Sequence, residues 1–151
     1  MEIERKFLLN RLPKALESYP FHIIEQGYLT TNPVVRVRKE DDNYYLTYKG
    51  KGLLAREEYN LPLTQEAYET LLPKCEGNII SKKRYLIPLE NTDLTIELDV
   101  FAPPFSPLIM AEVEFDSMEA ANNFQAPEWF EKEVTNDPAY HNSNMALREL
   151  Y

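Results

Sequence analysis

Residues 2–7, Glu-Ile-Glu-Arg-Lys-Phe, carry a charged side chain at every second position near the start of the chain, with the apolar Ile3 and Phe7 between and after them. Successive side chains of a β-strand point to opposite faces, so Glu2, Glu4 and Lys6 would share one face while the apolar residues occupy the other. This stretch therefore predicts a strand with one charged face and one apolar face.

The same spacing recurs along the chain, with charged residues two positions apart. These doublets are Arg36/Arg38, Lys49/Lys51, Arg56/Glu58, Lys82/Arg84, Glu97/Asp99 and Glu112/Glu114. Together with the turn residues between them, they predict eight strands, at 2–9, 21–30, 33–40, 43–50, 54–61, 79–88, 93–101 and 107–115. Short turns at 32–33, 41–43 and 51–52 predict hairpins and consecutive antiparallel pairing.

A few short helices are expected around these strands. They are predicted at 64–72, from Asp116 to about 124, and from Ser143 to the C-terminus. Thr64 and Asp116 are the expected N-caps. Because no repeat, linker or low-complexity tract divides residues 1–151, we expect a single domain.

Two arrangements of the strands would account for these charged faces. They are either the solvated side of a sandwich or the lining of a closed barrel. The strict doublets of arginines and carboxylates, and the long apolar faces that need cover, favour a barrel. We expect a mainly β (α+β) fold: a closed eight-stranded antiparallel β-barrel with the charged face inward and a few short covering helices. The expected cationic lining is Lys6, Arg36, Arg38, Lys49, Lys51, Arg56, Lys82 and Arg84. The expected acidic lining is Glu2, Glu4, Glu58, Glu97, Asp99, Glu112 and Glu114.

Composition excludes several classes of function. Sixteen Lys and Arg against 25 Asp and Glu give a net charge of −9, which disfavours nucleic acid and anionic membranes as partners. Four glycines, two histidines and one cysteine are not spaced for a nucleotide-binding loop, a zinc-protease motif or a disulfide. The single cysteine and the lack of an apolar leader lead us to expect a cytoplasmic protein.

The predicted lining suits a compact polyanion. Arginine matches phosphate oxygens with two parallel hydrogen bonds, and lysine supplies a point charge. The doublets Glu2/Glu4 and Glu112/Glu114 would repel each other unless hard divalent cations neutralise them. We therefore expect one or two Mg²⁺ or Mn²⁺ ions that bridge carboxylate and phosphate oxygens.

The chain resembles the CYTH superfamily of triphosphate tunnel metalloenzymes, and in particular its short bacterial inorganic triphosphatases. Glu2 to Lys6 matches the E-x-E-x-K signature, and further matching segments follow in the order of the family. They are QGYL at 26–29, RVR at 36–38, LTYKG at 46–50, REE at 56–58, KKRY at 82–85, ELD at 97–99 and EVEF at 112–115. The resemblance implies an eight-stranded tunnel that binds a triphosphate with a divalent metal.

Roles carry over where positions match. The metal-binding carboxylates would be Glu2, Glu4, Glu112 and Glu114, and the triphosphate cradle would include Lys6, Arg36, Arg38, Lys49, Arg56 and Arg84. Lys51 matches less well because it belongs to a predicted turn. Tyr28 and Lys82 occupy positions proposed to activate water, although the sequence does not decide whether Lys82 is the base. Asn60 departs from related sequences, which often carry an acidic residue there.

The resemblance implies metal-dependent hydrolysis of inorganic tripolyphosphate to pyrophosphate and phosphate. Alternatives within the fold are a thiamine triphosphatase, a nucleoside triphosphatase acting on ATP, and an adenylate cyclase of the CYTH type. A non-catalytic polyphosphate-binding module is the alternative from another class. We expect a small polyphosphate partner, no nucleic acid and no membrane, and leave a homodimer open.

Overall fold

Antiparallel strands make up most of the structure, a computed structural model that describes residues 1–52 and 54–148. The strands in that part are β1 (Glu2–Leu9), β2 (Phe21–Thr31), β3 (Val34–Glu40), β4 (Asn43–Lys49), β5 (Ala55–Arg56), β6 (Glu58–Pro62), β7 (Glu76–Pro88), β8 (Thr95–Phe101), β9 (Ile109–Glu114) and β10 (Phe130–Glu133). The helices are α1 (Gln65–Leu71), α2 (Met118–Asn123) and α3 (Asn142–Leu147), with single 3₁₀ turns at Leu16–Ser18, Leu72–Lys74 and Pro138–Tyr140.

These strands form one sheet that nearly closes on itself. Neighbours follow the order β10-β1-β9-β8-β7-β2-β3-β4-β6. The segment 55–62 bridges the two sides of the ring, because β6 pairs with β4 while β5 pairs with the start of β1. If this interrupted segment is counted as one strand, the ring contains the eight predicted strands, and β10 is an addition on β1. The predicted mainly β, antiparallel barrel fold is confirmed.

The short turns predicted that each strand pairs with the next one along the chain, and this prediction is wrong for part of the sheet. The pairs β2–β3, β3–β4 and β4–β6 are hairpins, but β7 pairs with β2 and β8 rather than with β6. The α1 segment lies between β6 and β7 in the chain and carries it to the other edge of β2. The strand β10 was missed because its four residues, FEKE, show no alternation of apolar and polar side chains.

The helix ends follow local hydrogen bonds. The Thr64 hydroxyl accepts a hydrogen bond from the backbone N–H of Ala67, as an N-cap does. The predicted Asp116 cap is wrong by one residue, since Ser117 caps α2 by accepting from Ala120. The predicted continuation of α3 over residues 149–151 lies outside the described residues.

Apolar side chains pack on both surfaces of the sheet. Outside the ring, Phe7, Leu98, Val113 and Phe115 form the main core. α2 and the segment before β10 contribute to this core. No helix in the described ranges is long and apolar enough to cross a membrane.

A second apolar cluster lies inside the ring. Ile80 and Met110 are two residues before Lys82 and Glu112 on the same strands, so they face the lumen as those charged residues do. They pack with Met145 and Ala146 of α3. One part of the lumen is therefore filled by apolar side chains, and α3 enters the ring instead of only covering it from outside.

Gly77 of β7 lies against α3, and the close contact leaves no room for a larger side chain at this position. Its φ of +69° is in the left-handed region, and a Cβ there would lie 2.1 Å from the backbone oxygen of Ala146. Gly77→Ala should therefore lower the free energy of unfolding by more than about 1 kcal/mol, which is roughly 2–4 °C in Tm for a chain of this size. Gly50→Ala is the matched control, because the nearest atom to its Cβ would be 3.5 Å away. Equal Tm values for the two variants in thermal unfolding would contradict this packing.

Candidate functional site

The remaining part of the lumen is a cavity of about 230 Å³ lined mainly by charged side chains. This volume is below the roughly 300–1,000 Å³ of pockets that hold drug-sized ligands. The cations on its wall are Lys6, Arg36, Arg38, Lys49, Arg56, Lys82 and Arg84. The acids are Glu2, Glu4, Glu40, Glu58, Glu97, Glu112 and Glu114. Seven cations thus meet seven acids among the described residues.

The two signs of charge are on different arcs of the ring. Neighbouring strands β7, β3 and β4, with β2 between β7 and β3, carry five of the cations, Lys82, Arg84, Arg36, Arg38 and Lys49. The other arc consists of β6, β5, β1, β9 and β8, and it carries six of the acids, Glu58, Glu2, Glu4, Glu112, Glu114 and Glu97. Lys6, Arg56 and Glu40 are the exceptions. A basic arc therefore faces an acidic arc across the cavity.

Most predicted lining residues do line this cavity, and two do not. Lys51 lies beyond the end of β4 and is exposed, so the structure does not bring it to the lumen. The turn places it outside the ring. Asp99 is fully buried beneath the cavity wall, where it contacts the cations of β7.

Asp99 anchors the basic arc from below. Its carboxylate accepts hydrogen bonds from Arg84 Nε at 2.7 Å and Arg84 Nη2 at 2.9 Å, and it lies 2.7 Å from Lys82 Nζ. Although burial works to raise it, Arg84 and Lys82 lower the pKa of Asp99. The carboxylate therefore stays charged and holds both cations in place.

Glu112 of the acidic arc has one cationic partner from each arc. Its carboxylate lies 3.5 Å from Lys6 Nζ and 3.4 Å from Arg84 Nη2. Although burial opposes it, these two cations hold the pKa of Glu112 well below its usual range. Glu112 is therefore ionised without any ligand.

Other acids of this arc have too little positive charge around them. Glu4 is directly opposite Glu114 in the β1–β9 register, and like charges in that position repel. Burial, with Glu112 next, raises the pKa of Glu4, while burial and Glu97 raise the pKa of Glu114. These carboxyl groups are therefore harder to ionise than usual, and additional positive charge nearby would favour their ionised form.

Glu2 belongs to a coupled pair next to Lys49. Lys49 Nζ lies 2.9 Å from Glu2 Oε1. Burial and a side-chain hydrogen bond with Glu58 raise the pKa of Glu2. Although burial works to raise it, the interaction with Glu2 lowers the pKa of Glu58, and Asn60 Nδ2 donates a hydrogen bond to Glu58 Oε1 at 2.9 Å. Asn60 thus contacts an acid of the cavity wall.

The basic arc, in contrast, has too few acceptors and too little negative charge around its cations. Arg36 Nε is buried and has no hydrogen-bond partner among the described residues. Burial, and then the nearby Arg36 and Arg84, lower the pKa of Arg38. A buried donor without a partner and crowded guanidinium groups are features that an anionic ligand would satisfy.

Lys82 and Tyr28 both line the cavity on this arc. Burial lowers the pKa of Lys82 to about 7, even though Asp99 works in the other direction. Tyr28 is 2% exposed and lines the same cavity. Lys82 is therefore a group able to lose its proton near neutral pH.

Several polar residues that line or support the cavity were not predicted as site residues. They are Gln26, Glu40, Thr135, His141, Asn142 and Ser143. Gln26 and Glu40 share a face with Tyr28 and Arg38 by the same two-residue spacing, so the pattern was available. The last four belong to the C-terminal segment, whose position depends on tertiary contacts. His141 Nε2 lies 3.2 Å from the backbone oxygen of Thr135, an acceptor, so this nitrogen carries the ring hydrogen.

The acidic arc fits a divalent cation by the chemistry of its donors. Carboxylate oxygens are the ligands that Mg²⁺ and Mn²⁺ prefer. No three His, Cys, Asp or Glu side chains are gathered as a metal cluster within residues 1–52 and 54–148. Mg²⁺ needs no such cluster, because proteins often bind it through one or two carboxylates together with phosphate oxygens. The residues therefore fit a metal that binds together with a phosphate ligand.

Chemically, the site can hold a chain of phosphates between the two arcs. The basic arc offers guanidinium and ammonium donors, and the acidic arc offers oxygen ligands for a metal on the other side of the phosphates. An amine with a lowered pKa lies on the basic side and is able to accept a proton.

Comparisons with known proteins agree with this geometry. The CYTH domain family model matches residues 1–144. An inorganic triphosphatase from Nitrosomonas europaea is 43% identical over 150 residues, covering 97% of each chain. Another inorganic triphosphatase, from Acetivibrio thermocellus, is 38% identical over 150 residues, covering 95% of this chain and 92% of the relative. A crystal structure of an inorganic triphosphatase superposes with a TM-score of 0.74 at 38% identity, covering 99% of this chain and 96% of that chain.

The role of Asp99 beneath the wall makes a stability prediction. Asp99→Asn removes the nearest counter-charge of the buried Lys82 and Arg84, of which Arg84 keeps Glu97 and Glu112, so it should cost about 3–5 kcal/mol of unfolding free energy. Asp93→Asn is the same substitution at an exposed position and should change stability by less than about 0.5 kcal/mol. Denaturant unfolding measures both values. A loss below about 1 kcal/mol for Asp99→Asn would show that Lys82 and Arg84 do not depend on this carboxylate.

Proposed function

The chain belongs to the CYTH domain family, and we propose that it hydrolyses inorganic tripolyphosphate to pyrophosphate and phosphate with the help of a divalent cation. The observation that carries the proposal is the basic arc facing an acidic arc across one cavity. The names of the two relatives, both inorganic triphosphatases, support the same reaction. The chain would thus be a hydrolase acting on a phosphoanhydride bond.

The charge balance of the cavity supports the need for metal. Seven cations and seven acids give the wall little net charge, so it would not by itself attract a ligand with four or five negative charges. The acidic arc holds protons more readily than free carboxyl groups do, since burial raises the pKa values of Glu4, Glu97 and Glu114. A divalent cation would replace these protons and supply the missing positive charge.

We assign the metal ligands to the acidic arc and the phosphate contacts to the basic arc. Glu2, Glu4, Glu112 and Glu114 would hold one or two Mg²⁺ or Mn²⁺ ions. When bound, such an ion neutralises phosphate charge and polarises the P–O bonds. Lys6, Arg36, Arg38, Lys49, Arg56 and Arg84 would donate to phosphate oxygens, with the unpartnered Arg36 Nε gaining an acceptor. Glu58, Glu97 and Asp99 would support these cations.

The hydrolytic step assigns separate tasks to Lys82 and Tyr28. A water oxygen forms a bond to a terminal phosphorus while the bridging P–O bond breaks, and pyrophosphate leaves with the bonding electron pair. The neutral amine of Lys82 takes the proton of the attacking water. Tyr28 contacts the phosphate chain from β2. Most of the catalysis then comes from positioning and charge stabilisation, as is usual for phosphoryl transfer.

The small cavity supports tripolyphosphate over larger triphosphates. Its volume of about 230 Å³ leaves little room for the adenosine of ATP or the rings of thiamine triphosphate. An adenylate cyclase would also need a base and ribose pocket next to the phosphates. A non-catalytic binding module would gain nothing from the amine of Lys82 or from the acidic arc. The homodimer and the cytoplasmic location expected from the sequence stay predictions.

Removing single carboxylates from the acidic arc tests the metal assignment. Glu4→Gln and Glu114→Gln should each lower kcat/KM for tripolyphosphate by two orders of magnitude or more with Mg²⁺ or Mn²⁺, and a chelator should abolish wild-type activity. Glu119→Gln, on the exposed face of α2, is the matched control and should stay at the wild-type rate. Phosphate release from tripolyphosphate, ATP and thiamine triphosphate measures the rates. If both variants stay near wild type, the metal assignment is wrong.

The pH dependence tests Lys82 as the base. A pKa of about 7 means that Lys82 is protonated and inactive below pH 7 and neutral above it. Because kcat/KM reports on the free enzyme, it should rise about tenfold per pH unit below 7 and level off above about 8. Lys82→Arg keeps the charge but does not release a proton near neutrality, so activity should be lost at every pH.

Lys83→Arg, at a neighbouring position that faces away from the lumen and packs on Phe21, is the control and should keep the wild-type profile. A Lys82→Arg variant with a wild-type rate would remove Lys82 from the proton transfer.

A further inference from the structure

Two buried side-chain amides connect the groups proposed to act on water. Asn142, at the start of α3, has an Oδ1 that accepts hydrogen bonds from Lys82 Nζ and from Gln26 Nε2, both at 3.1 Å. Gln26 Nε2 also donates to the hydroxyl oxygen of Tyr28 at 3.3 Å. Gln26 is fully buried and Asn142 is 9% exposed. The two amides therefore link Lys82 to Tyr28 behind the cavity wall.

Arg38 determines which group donates and which accepts in each of these hydrogen bonds. Gln26 Oε1 accepts from Arg38 Nε at 2.8 Å and from Arg38 Nη2 at 2.6 Å. A guanidinium group only donates, so the amide oxygen of Gln26 must face Arg38 and its NH₂ must face the other way. Asn142 must then present its oxygen to that NH₂. The same oxygen faces Lys82, so it accepts an N–H from Lys82 in either protonation state.

This arrangement orients the Lys82 amine. A neutral amine has two N–H donors and one lone pair. Asp99 Oδ2, 2.7 Å from Nζ, and Asn142 Oδ1, 3.1 Å from it, are acceptors for the two N–H groups. The lone pair is then left for a third direction, that of an acceptor for a proton. Without Asn142, Asp99 alone would fix one N–H, and the second N–H and the lone pair could exchange positions.

The same hydrogen bonds also determine where the Tyr28 hydroxyl can donate its hydrogen. Its hydroxyl oxygen accepts from Gln26, so its own O–H hydrogen is not used in that bond. Tyr28 lines the cavity, where a phosphate oxygen would be an acceptor for this hydrogen. Tyr28 is thereby oriented as a donor and not as a base.

We propose that Asn142 is a positioning residue, which holds the Lys82 amine for proton transfer from water and, through Gln26, orients Tyr28 as a hydrogen-bond donor to the substrate. This inference rests on the proposed triphosphatase function. It makes activity depend on α3, which lies far from β2 and β7 in sequence. The other charged groups that act on Lys82 are Asp99 of β8, Arg84 of β7, Glu112 of β9 and Arg38 of β3.

Two variants separate the charge at position 142 from the positioning. Asn142→Asp keeps an acceptor but adds a negative charge next to Lys82, so the acid limb of kcat/KM should move about one to three pH units higher, with activity recovering at high pH. Asn142→Ala removes the acceptor, so kcat should fall at least tenfold at every pH while KM changes less than threefold. Asn144→Asp makes the same substitution on the exposed side of α3, where it loses only the hydrogen bond from Asn144 Nδ2 to the Pro138 oxygen, and should keep the wild-type profile.

A readout without substrate or metal completes the test. The pH titration of the Lys82 Cε resonance by NMR should have a higher midpoint in Asn142→Asp than in wild type, and Asn144→Asp should leave it unchanged. Equal midpoints in wild type and Asn142→Asp, or an Asn142→Ala kcat within twofold of wild type, would overturn the role of Asn142. A wild-type protein that releases no phosphate from any triphosphate would instead overturn the proposed function. Thermal unfolding of each variant shows whether α3 still folds.

Discussion

Charge neutrality inside the closed ring is the constraint on which the rest of the site depends. A charged group removed from water is costly unless a counter-charge or hydrogen bonds replace the solvent. The ring meets this cost with ion pairs, of which Asp99 with Lys82 and Arg84 is the most buried. Elsewhere the pairing is incomplete, since Glu4 faces Glu114 and Arg36 Nε has no partner among the described residues. Both deficits would be met together by a polyphosphate with its metal.

The order of the strands separates the basic residues from the acidic residues around the ring. The pairing of β7 with β2 places the basic doublets of β7 and β3, together with Lys49 of β4, on one arc, while the pairing of β1 with β9 gathers the acidic doublets on the other. A phosphate chain between the arcs then has donors on one side and oxygen ligands for metal on the other. The apolar cluster of Ile80, Met110 and Met145 fills the rest of the lumen, so the polar cavity stays small.

Much of the wall was predictable because a strand has only two faces. The two-residue spacing that places Glu2, Glu4 and Lys6 together is a property of the backbone, and closing the ring turns that face inward. The features that the two-residue spacing did not predict depend on tertiary contacts. Lys51 follows the spacing but lies beyond the end of β4, where the turn takes it out of the ring. Asn142 carries no local signal, because only the packing of α3 against β7 brings its oxygen to Lys82.

Crystals grown with Mn²⁺ and tripolyphosphate test the central claim most directly. Anomalous scattering should place manganese against the carboxylates of the acidic arc, with Glu4 and Glu114 among its neighbours. Density for the phosphate chain should lie between the metal and the guanidinium groups of Arg36 and Arg38. Manganese or phosphate bound only outside the lumen, in crystals that also show the ring intact, would contradict the account.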